Sequence, residues 1–301
     1  MRGGMLRRVH SAALIVNPFS SRVTEPRLEA VERALAPYAE LETIPTGRRG
    51  HATDLAREVA NNHDAVLVFS GDGVFNEVVN GIEGQTPLGF IPGGRTNVLP
   101  RALGLPRDPI AAARRIGEAL AAGHTRTISL GRVNGRRFTF AAGVGADAEF
   151  IRRMESRGRR HDGKLPGDIT AGWVLTQQFA RTRYRPCMQI EGIGRAASAL
   201  VLNGDVSTYV GRYPVRFVPE ASFELGLDVA APLELNARSL PSFAWRSLRG
   251  MRSPGVLYGH DLDRVTVFCD RPMPLQVDGE DLGDVREAHF VAERDAAKVL
   301  V

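Results

Sequence analysis

The chain has little cysteine: Cys187 and Cys269 are the only two in 301 residues, and they lie far apart. That excludes a disulfide framework and every cysteine-based metal spacing, and it makes a reducing, cytoplasmic setting the default. Long apolar runs are missing as well, none coming near the ~20 residues that a membrane-spanning helix needs. Membrane contact is therefore expected to be peripheral. Residues Met1 to His10 are basic like the head of a secretion signal, yet the apolar run behind them, Ala12 to Val16, stops at Asn17-Pro18. No secretion signal is expected from so short a run. Low-complexity blocks are absent, and no groove-reading motif accompanies the basic residues, so nucleic acid is not an expected partner.

What is present is an ordinary globular composition, 43% hydrophobic and 24% charged, with a net charge of +5 in which arginine far outnumbers lysine. Such a balance favours anionic partners, namely phosphates, nucleic acid or an acidic membrane surface, without choosing among them. A chain of this length exceeds the usual single core, so two domains are expected.

The chain is organised around Val66 to Gly81. Four apolar residues, Val66-Leu67-Val68-Phe69, read as a short buried strand, and Ser70-Gly71-Asp72-Gly73 turns it sharply into a helix. A helix N-terminus favours anions, so phosphate suits this place. Asp72 would repel a bare phosphate unless Mg²⁺ intervenes or the carboxylate takes a proton from an attacking hydroxyl. The plainer alternative is a strand, a turn and a helix with the Asp as cap.

Around this stretch the first half alternates strands with helices. Ala12 to Val16 reads as a strand followed by the polar turn Asn17 to Arg22. A helix begins with Thr24 as cap and Pro26 in its first turn, and Leu41 to Ile44 makes a second strand. Ala52, Leu55, Ala56, Val59 and Ala60 form one face of another helix. Leu88 to Ile91 is a further strand, running into the glycine-bearing loop Pro92 to Asn97, and a helix over Asp108 to Ala122 closes at Gly123. This alternation predicts a mostly parallel sheet, on which ligands collect at the carboxyl ends of the strands. Asn17 to Arg22, Thr46, Ser70 to Gly73 and Pro92 to Asn97 should therefore converge.

After Gly123 the pattern changes. Thr127 to Val133, Asn134-Gly135 and Arg136 to Ala142 read as a tight hairpin. Further short strands are expected at Ala199 to Asn203, Tyr213 to Val218, Leu227 to Ala231, Arg264 to Phe268, Leu275 to Asp278 and Ala288 to Ala292. Phe150 to Tyr184 is the one long helical or irregular stretch of this half. Its basic residues Arg152, Arg153, Arg157, Arg159, Arg160 and Lys164 lead into Trp173, Val174, Leu175 and Phe179, a pattern that fits docking on anionic lipid as well as a merely solvated face. Arg246, Arg249 and Arg252 beside Trp245 repeat it more weakly. Near the end, Asp278-Gly279-Glu280 reads either as a hairpin turn or as a base or metal ligand aimed at a cleft.

Taken together these stretches resemble the diacylglycerol kinase catalytic family, the bacterial lipid kinases related to sphingosine and ceramide kinases, over nearly the whole chain. Asn17-Pro18-Phe19-Ser20, Thr46 with Gly50-His51-Ala52, Ser70 to Gly81, Pro92 to Asn97, Ala142 to Ala148 and Gln276 to Glu280 match its motifs in order and spacing. The resemblance implies an α/β N-terminal domain of the NAD kinase and phosphofructokinase kind over 1–125 and an antiparallel β-sandwich lipid domain over 126–289. Residues from about 290 to 301 are expected to return to the first domain. It implies ATP contacts from Asn17, Pro18, Ser20, Arg22, Thr46, Ser70, Gly71, Gly73, Asn76, Glu77, Gly93, Gly94, Arg95 and Asn97. Glu280 maps to the proton acceptor and Asp72 to an organiser of the nucleotide and its Mg²⁺, although in the sphingosine-kinase branch the Asp aligned with Asp72 takes the proton. A structural Mg²⁺ is implied on the loop Pro219 to Asp228 through Glu224 and Asp228, with Asp278 as a further metal ligand.

The sequence departs from that pattern at Ser70, Val74, Ser21, Arg95, Val98 and Glu224-Leu225. The expectation is an ATP- and Mg²⁺-dependent kinase of diacylglycerol or a related lipid, working peripherally at the inner face of the plasma membrane, with a homodimer left open. The rivals are a non-catalytic nucleotide- or lipid-binding homologue and an NAD kinase-like phosphotransferase.

Overall fold

A computed structural model describes residues 10–157 and 168–301. Arg159, Arg160, Asp162 and Lys164, part of the expected basic segment, lie outside the described residues. The chain divides into two compact units, one running up to Thr127 and including Ala297–Val301, the other Ile128–Ala296.

In the first unit the elements are β1 (His10–Val16), α1 (Glu25–Leu35), β2 (Ala39–Pro45), α2 (His51–Val59), β3 (Ala65–Ser70), α3 (Asp72–Gly81), β4 (Leu88–Pro92), α4 (Val98–Ala102) and α5 (Pro109–Ala122). The strands lie parallel in the order β4-β3-β1-β2. Val16 stands opposite both Pro45 and Phe69, and Ser70 opposite Pro92, so all four strands end level. Every residue of β3 is buried, as its unbroken apolar run requires. Leu14, Leu67, Phe69 and Ile91 pack against Val31 and Leu35 of α1 and Ile116 and Leu120 of α5. Each such buried side chain contributes about 1.5–3 kcal/mol. Asp108 caps α5 by accepting from Ala111 N at 2.8 Å, and Gly123 ends it at φ 67°. Thr24 precedes α1 but makes no side-chain cap bond, which corrects the expected capping. The short α4 contains Pro100 and carries no periodic signal of its own.

The second unit is entered through β5 (Thr125–Val133) and contains β6 (Arg136–Phe138), β7 (Ala141–Val144), α6 (Ala146–Ser156), α7 (Asp168–Arg181), β8 (Met188–Ile190), β9 (Gly194–Ala196), β10 (Ala199–Leu202), β11 (Thr208–Val210) and β12 (Tyr213–Val215). It continues with β13 (Leu227–Pro232), α8 (Leu240–Leu248), β14 (Val256–Leu262), β15 (Arg264–Val277) and β16 (Glu280–Leu300), the last of which ends in the first unit. Here the pairing is antiparallel, in the order β14-β13-β10-β7-β15-β16. The fold class is thus an N-terminal mostly parallel α/β part followed by an antiparallel strand domain, as expected.

Local expectations fare unevenly. Asn134 and Gly135 turn the first hairpin at φ 46° and 90°. The strand expected over Arg136 to Ala142 is instead broken between β6 and β7, because a distant carboxylate takes the amides of Thr139, Phe140 and Ala141. Several short strands expected near the end are two long ones, bent where the register shifts between Phe268 and Met273 and between Pro274 and Gln276. The described residues between Phe150 and Tyr184 lie mostly in α6 and α7, and Val174 and Phe179 are buried rather than presented to a membrane.

Candidate active site

Because the four parallel strands end level, the polypeptide leaves each of them at the same edge of the sheet. The loops that follow are joined there. Ser20 and Ser70 hydroxyls are hydrogen-bonded at 2.8 Å, Arg22 N donates to Gly93 O at 3.0 Å, and Gly93 N donates to Ser70 O at 2.6 Å. Thr46 N donates to Val16 O. Glycine is required where the loops meet. A Cβ on Gly94 would stand 2.6 Å from the Cα of Gly71, and one on Gly93 would stand 3.0 Å from the backbone of Ser70. Asn97, at φ 50°, locks the second loop by accepting from Gly94 N and donating to Gly94 O, both at 2.8 Å.

Asp72 begins α3 but serves another helix. Its two carboxylate oxygens accept from Val98 N at 2.9 Å and Leu99 N at 3.1 Å, at the start of α4. The carboxylate therefore ties the first glycine loop to the end of the second. Glu77 in turn accepts from Ala52 N at the head of α2, and the buried Asn76 accepts from the Asn80 amide. Asn17 folds its own turn by accepting from Phe19 N. Pro18 and Arg95 are exposed, while Thr46 is buried. Of the expected nucleotide residues, the structure thus links Ser20, Arg22, Ser70, Gly71, Gly93, Gly94 and Asn97 directly, with Asp72 beside them.

In the second unit a different set gathers at the turn between β15 and β16. Asp278 receives Thr139 N at 2.7 Å, Thr139 Oγ1 at 2.8 Å, and the amides of Phe140 and Ala141 at 3.1 Å. That bonding makes it an anchor for the β6–β7 break. Glu280 is paired with Arg136 at 3.2 Å, both half-buried. Asp281 takes a forked contact from Arg152, which also reaches Asp284.

Sequence reasoning assigned no role to Asp147 or Gln276. Gln276 Nε2 donates to Asp147 at 2.6 Å and its Oε1 accepts from Gly279 N at 2.9 Å, so the pair supports the turn that carries Glu280. Burial pushes the Asp147 carboxyl up to about 6, with the Gln276 amide opposing. The Gly-Val-Gly-Ala-Asp spacing is the signal that could have marked it: a Cβ on Gly143 would stand 2.4 Å from the Asp147 carboxylate.

The expected metal ligands are not brought together. Glu224 is exposed and takes the Ser222 hydroxyl. Asp228 is buried, with one oxygen receiving His260 Nδ1 at 2.5 Å and the other lacking a partner. Asp278 is engaged as described. Among the described residues no three His, Cys, Asp or Glu side chains cluster as a cation would require.

Glycine-bearing loops joined at the carboxyl edge of a parallel sheet, followed by an antiparallel domain, define a two-part protein with an α/β first unit. The fold is similar to that of a diacylglycerol kinase from Bacillus anthracis (TM-score 0.72, 20% identity, 97% of each chain covered). It is similar more distantly to an NAD kinase from Archaeoglobus fulgidus in complex with ATP (TM-score 0.53, 12% identity, 96% of this chain and 93% of that one). Residues 11–133 match the diacylglycerol kinase catalytic domain. Over 293 residues the chain is 30% identical to a diacylglycerol kinase of Bacillus subtilis, covering 93% of this chain and 92% of the relative. The chain belongs to the diacylglycerol kinase family.

Proposed function

We propose that the protein is an ATP-dependent lipid kinase that transfers the γ-phosphoryl group to a hydroxyl of diacylglycerol or a related lipid at a membrane surface. The observation that carries this reading is the junction of the Ser20, Ser70–Gly71 and Gly93–Gly94 loops at one sheet edge, in a chain whose relatives are named for that activity. Backbone amides of such loops and of the α3 N-terminus suit phosphate oxygens. Gly73, in the first turn of α3, is exposed and has open space where a Cβ would stand. The triphosphate would be held by these loops, with Arg95 supplying a guanidinium in place of a hydroxyl. Mg²⁺ carried on the nucleotide would neutralise charge on its β- and γ-oxygens. Among the described residues the acidic side chains of the second unit form no cation cage.

In the transfer, the lipid oxygen forms a bond to the γ-phosphorus while the bond to the β,γ-bridging oxygen breaks, its electron pair leaving on ADP. The hydroxyl proton passes to Glu280. Asp72 is less suited to that role, since both its oxygens already accept backbone hydrogen bonds. The test is transfer of labelled γ-phosphate to a panel of lipid alcohols. Diacylglycerol or a close relative should be labelled, and Glu280→Gln should lower the rate by at least about 10²-fold with nucleotide binding kept. Full ATP binding without transfer would replace this reading with a non-catalytic one, and phosphorylation of NAD with an NAD kinase-like one. Unchanged turnover in Glu280→Gln would move the proton to Asp72.

A further inference from the structure

The most exposed apolar surface of the second unit lies not on α6 and α7, where the membrane-docking pattern of the sequence is strongest, but around α8, where it is repeated more weakly. Of the eleven large hydrophobic side chains exposed among the described residues, five fall in two short segments. These are Val210 (58% exposed) and Tyr213 (56%) at the tip of the β11–β12 hairpin, and Trp245 (52%), Leu248 (43%) and Met251 (42%) on α8 and the turn after it. The segments are neighbours: Arg216 N, just after β12, donates to Ser247 O on α8 at 2.9 Å, and the rings of Phe217 and Phe243 stack at 5.3 Å. The two segments are thus packed against each other, and the patch is their exposed side chains taken together.

Its charge is mostly positive, although Arg216 is paired with Asp205 and Arg252 with Glu220. No acidic residue occurs between Asp205 and Glu220, nor between Glu234 and Asp261, whereas these stretches hold Arg212, Arg216, Arg238, Arg246, Arg249 and Arg252. Two of the arginines lie over exposed rings of the patch, Arg212 over Tyr213 at 5.1 Å and Arg249 over Trp245 at 5.3 Å. Unlike Arg212 and Arg249, which lie over rings, the arginines of α6 are taken up by carboxylates, Arg152 by Asp281 and Asp284 and Arg153 by Glu149. Beyond Trp173, the aromatic-apolar stretch of α7 offers little, because Val174 and Phe179 are buried.

Tryptophan and tyrosine with adjacent arginines suit the headgroup level of a bilayer, where the rings meet acyl chains and the guanidinium groups meet phosphates. We propose that the β11–β12 tip and α8 with its following turn are the surface by which this protein docks on an anionic lipid bilayer. This deepens the lipid-kinase reading, from which it takes the need for a membrane, but its own observations are the exposed apolar cluster and its charge. Trp245 and Tyr213 enter the interface, and Arg212 and Arg249 hold the headgroups.

The test uses the whole chain without nucleotide, and vesicles of phosphatidylglycerol against vesicles of phosphatidylcholine. Binding should favour phosphatidylglycerol and weaken with salt, and Arg212→Gln with Arg249→Gln should weaken it by about fivefold per arginine. Because the protein has only two tryptophans, Trp173→Phe leaves Trp245 as the sole reporter. Its emission should shift to the blue on binding and be quenched by brominated phosphatidylglycerol, and Trp245→Ser with Tyr213→Ser should abolish binding while leaving the thermal melt in place. The proposal is overturned if Trp245 stays unshifted on saturating vesicles, if Trp173 responds instead in Trp245→Phe, or if these arginines bind an oligonucleotide in preference to vesicles. Transfer of phosphate to a short-chain lipid alcohol without vesicles is measured separately. Docking with no transfer sinks the kinase reading alone, and transfer with no docking sinks the surface alone.

Discussion

The two units build their candidate sites by opposite means. In the first, the loops after β1, β3 and β4 meet largely through main chain, with the Ser20–Ser70 hydroxyls and the Asp72 carboxylate as side-chain ties, and small residues such as Gly71, Gly93 and Gly94 allow the meeting. In the second, carboxylates do the joining: Asp278 reaches Thr139 to Ala141, and Asp147 is tied through Gln276 to Gly279. A site of the first kind is sensitive to added bulk. One of the second kind is sensitive to lost charge and to pH.

That contrast can be broken most forcefully at Asp278. Its replacement by alanine leaves the amides of Thr139, Phe140 and Ala141 without their acceptor, and stability should fall by about 3–5 kcal/mol, read as a lower urea midpoint. Gly94→Ala is the corresponding test in the first unit, where the new methyl meets the backbone of Gly71. A loss of about 1–3 kcal/mol is expected, with nucleotide binding weakened while the second unit keeps its exchange protection.

The pH response should belong to the second unit. The folded Asp147 carboxyl titrates near 6, above its ordinary value of 3.8, so the folded protein holds this proton more tightly than the unfolded chain. Stability on this account is highest below the ordinary value and falls as pH rises through about 6, by roughly 3 kcal/mol in all. Asp147→Asn should reduce that slope when unfolding is compared at several pH values, the remainder belonging to Asp278 and Asp228, whose carboxyls burial also pushes up. An undiminished slope would place the titration elsewhere. The smallest effect is expected at Arg136. Its pair with Glu280 is half-exposed, so Arg136→Gln should cost under about 1 kcal/mol in stability and change turnover by only a few fold. A collapse of activity would show that this guanidinium touches the substrates.

Much of the first unit was readable before any coordinates. The unbroken run Val66 to Phe69 needs two covered faces, and the glycine loops after Ser70 and Pro92 mark where strands end, so their meeting follows once the strands are parallel. In the second unit the hairpin at Asn134-Gly135 was readable for a similar local reason. The rest was not. β15 and β16 were read as scattered short strands because register shifts interrupt the alternation. The α8 segment reads only as a weaker repeat of the lipid-docking pattern, arginines beside a tryptophan, since a helix that leaves its apolar side chains exposed gives no core-facing stripe. The resemblance makes Asp278 a metal ligand, and spacing says nothing about which amides a carboxylate will find.

By itself the sequence determined the alternating half, the edge on which its loops lie and the change to antiparallel strands, since run lengths, caps and turn residues act within a few positions of one another. Only the tertiary structure decided what each acidic residue does. Asp72 serves α4, 26 residues ahead, and Asp278 holds a segment 139 residues behind. A carboxylate's work is set by the donors that folding brings to it and by how much water it loses there, and neither is written beside it in the chain.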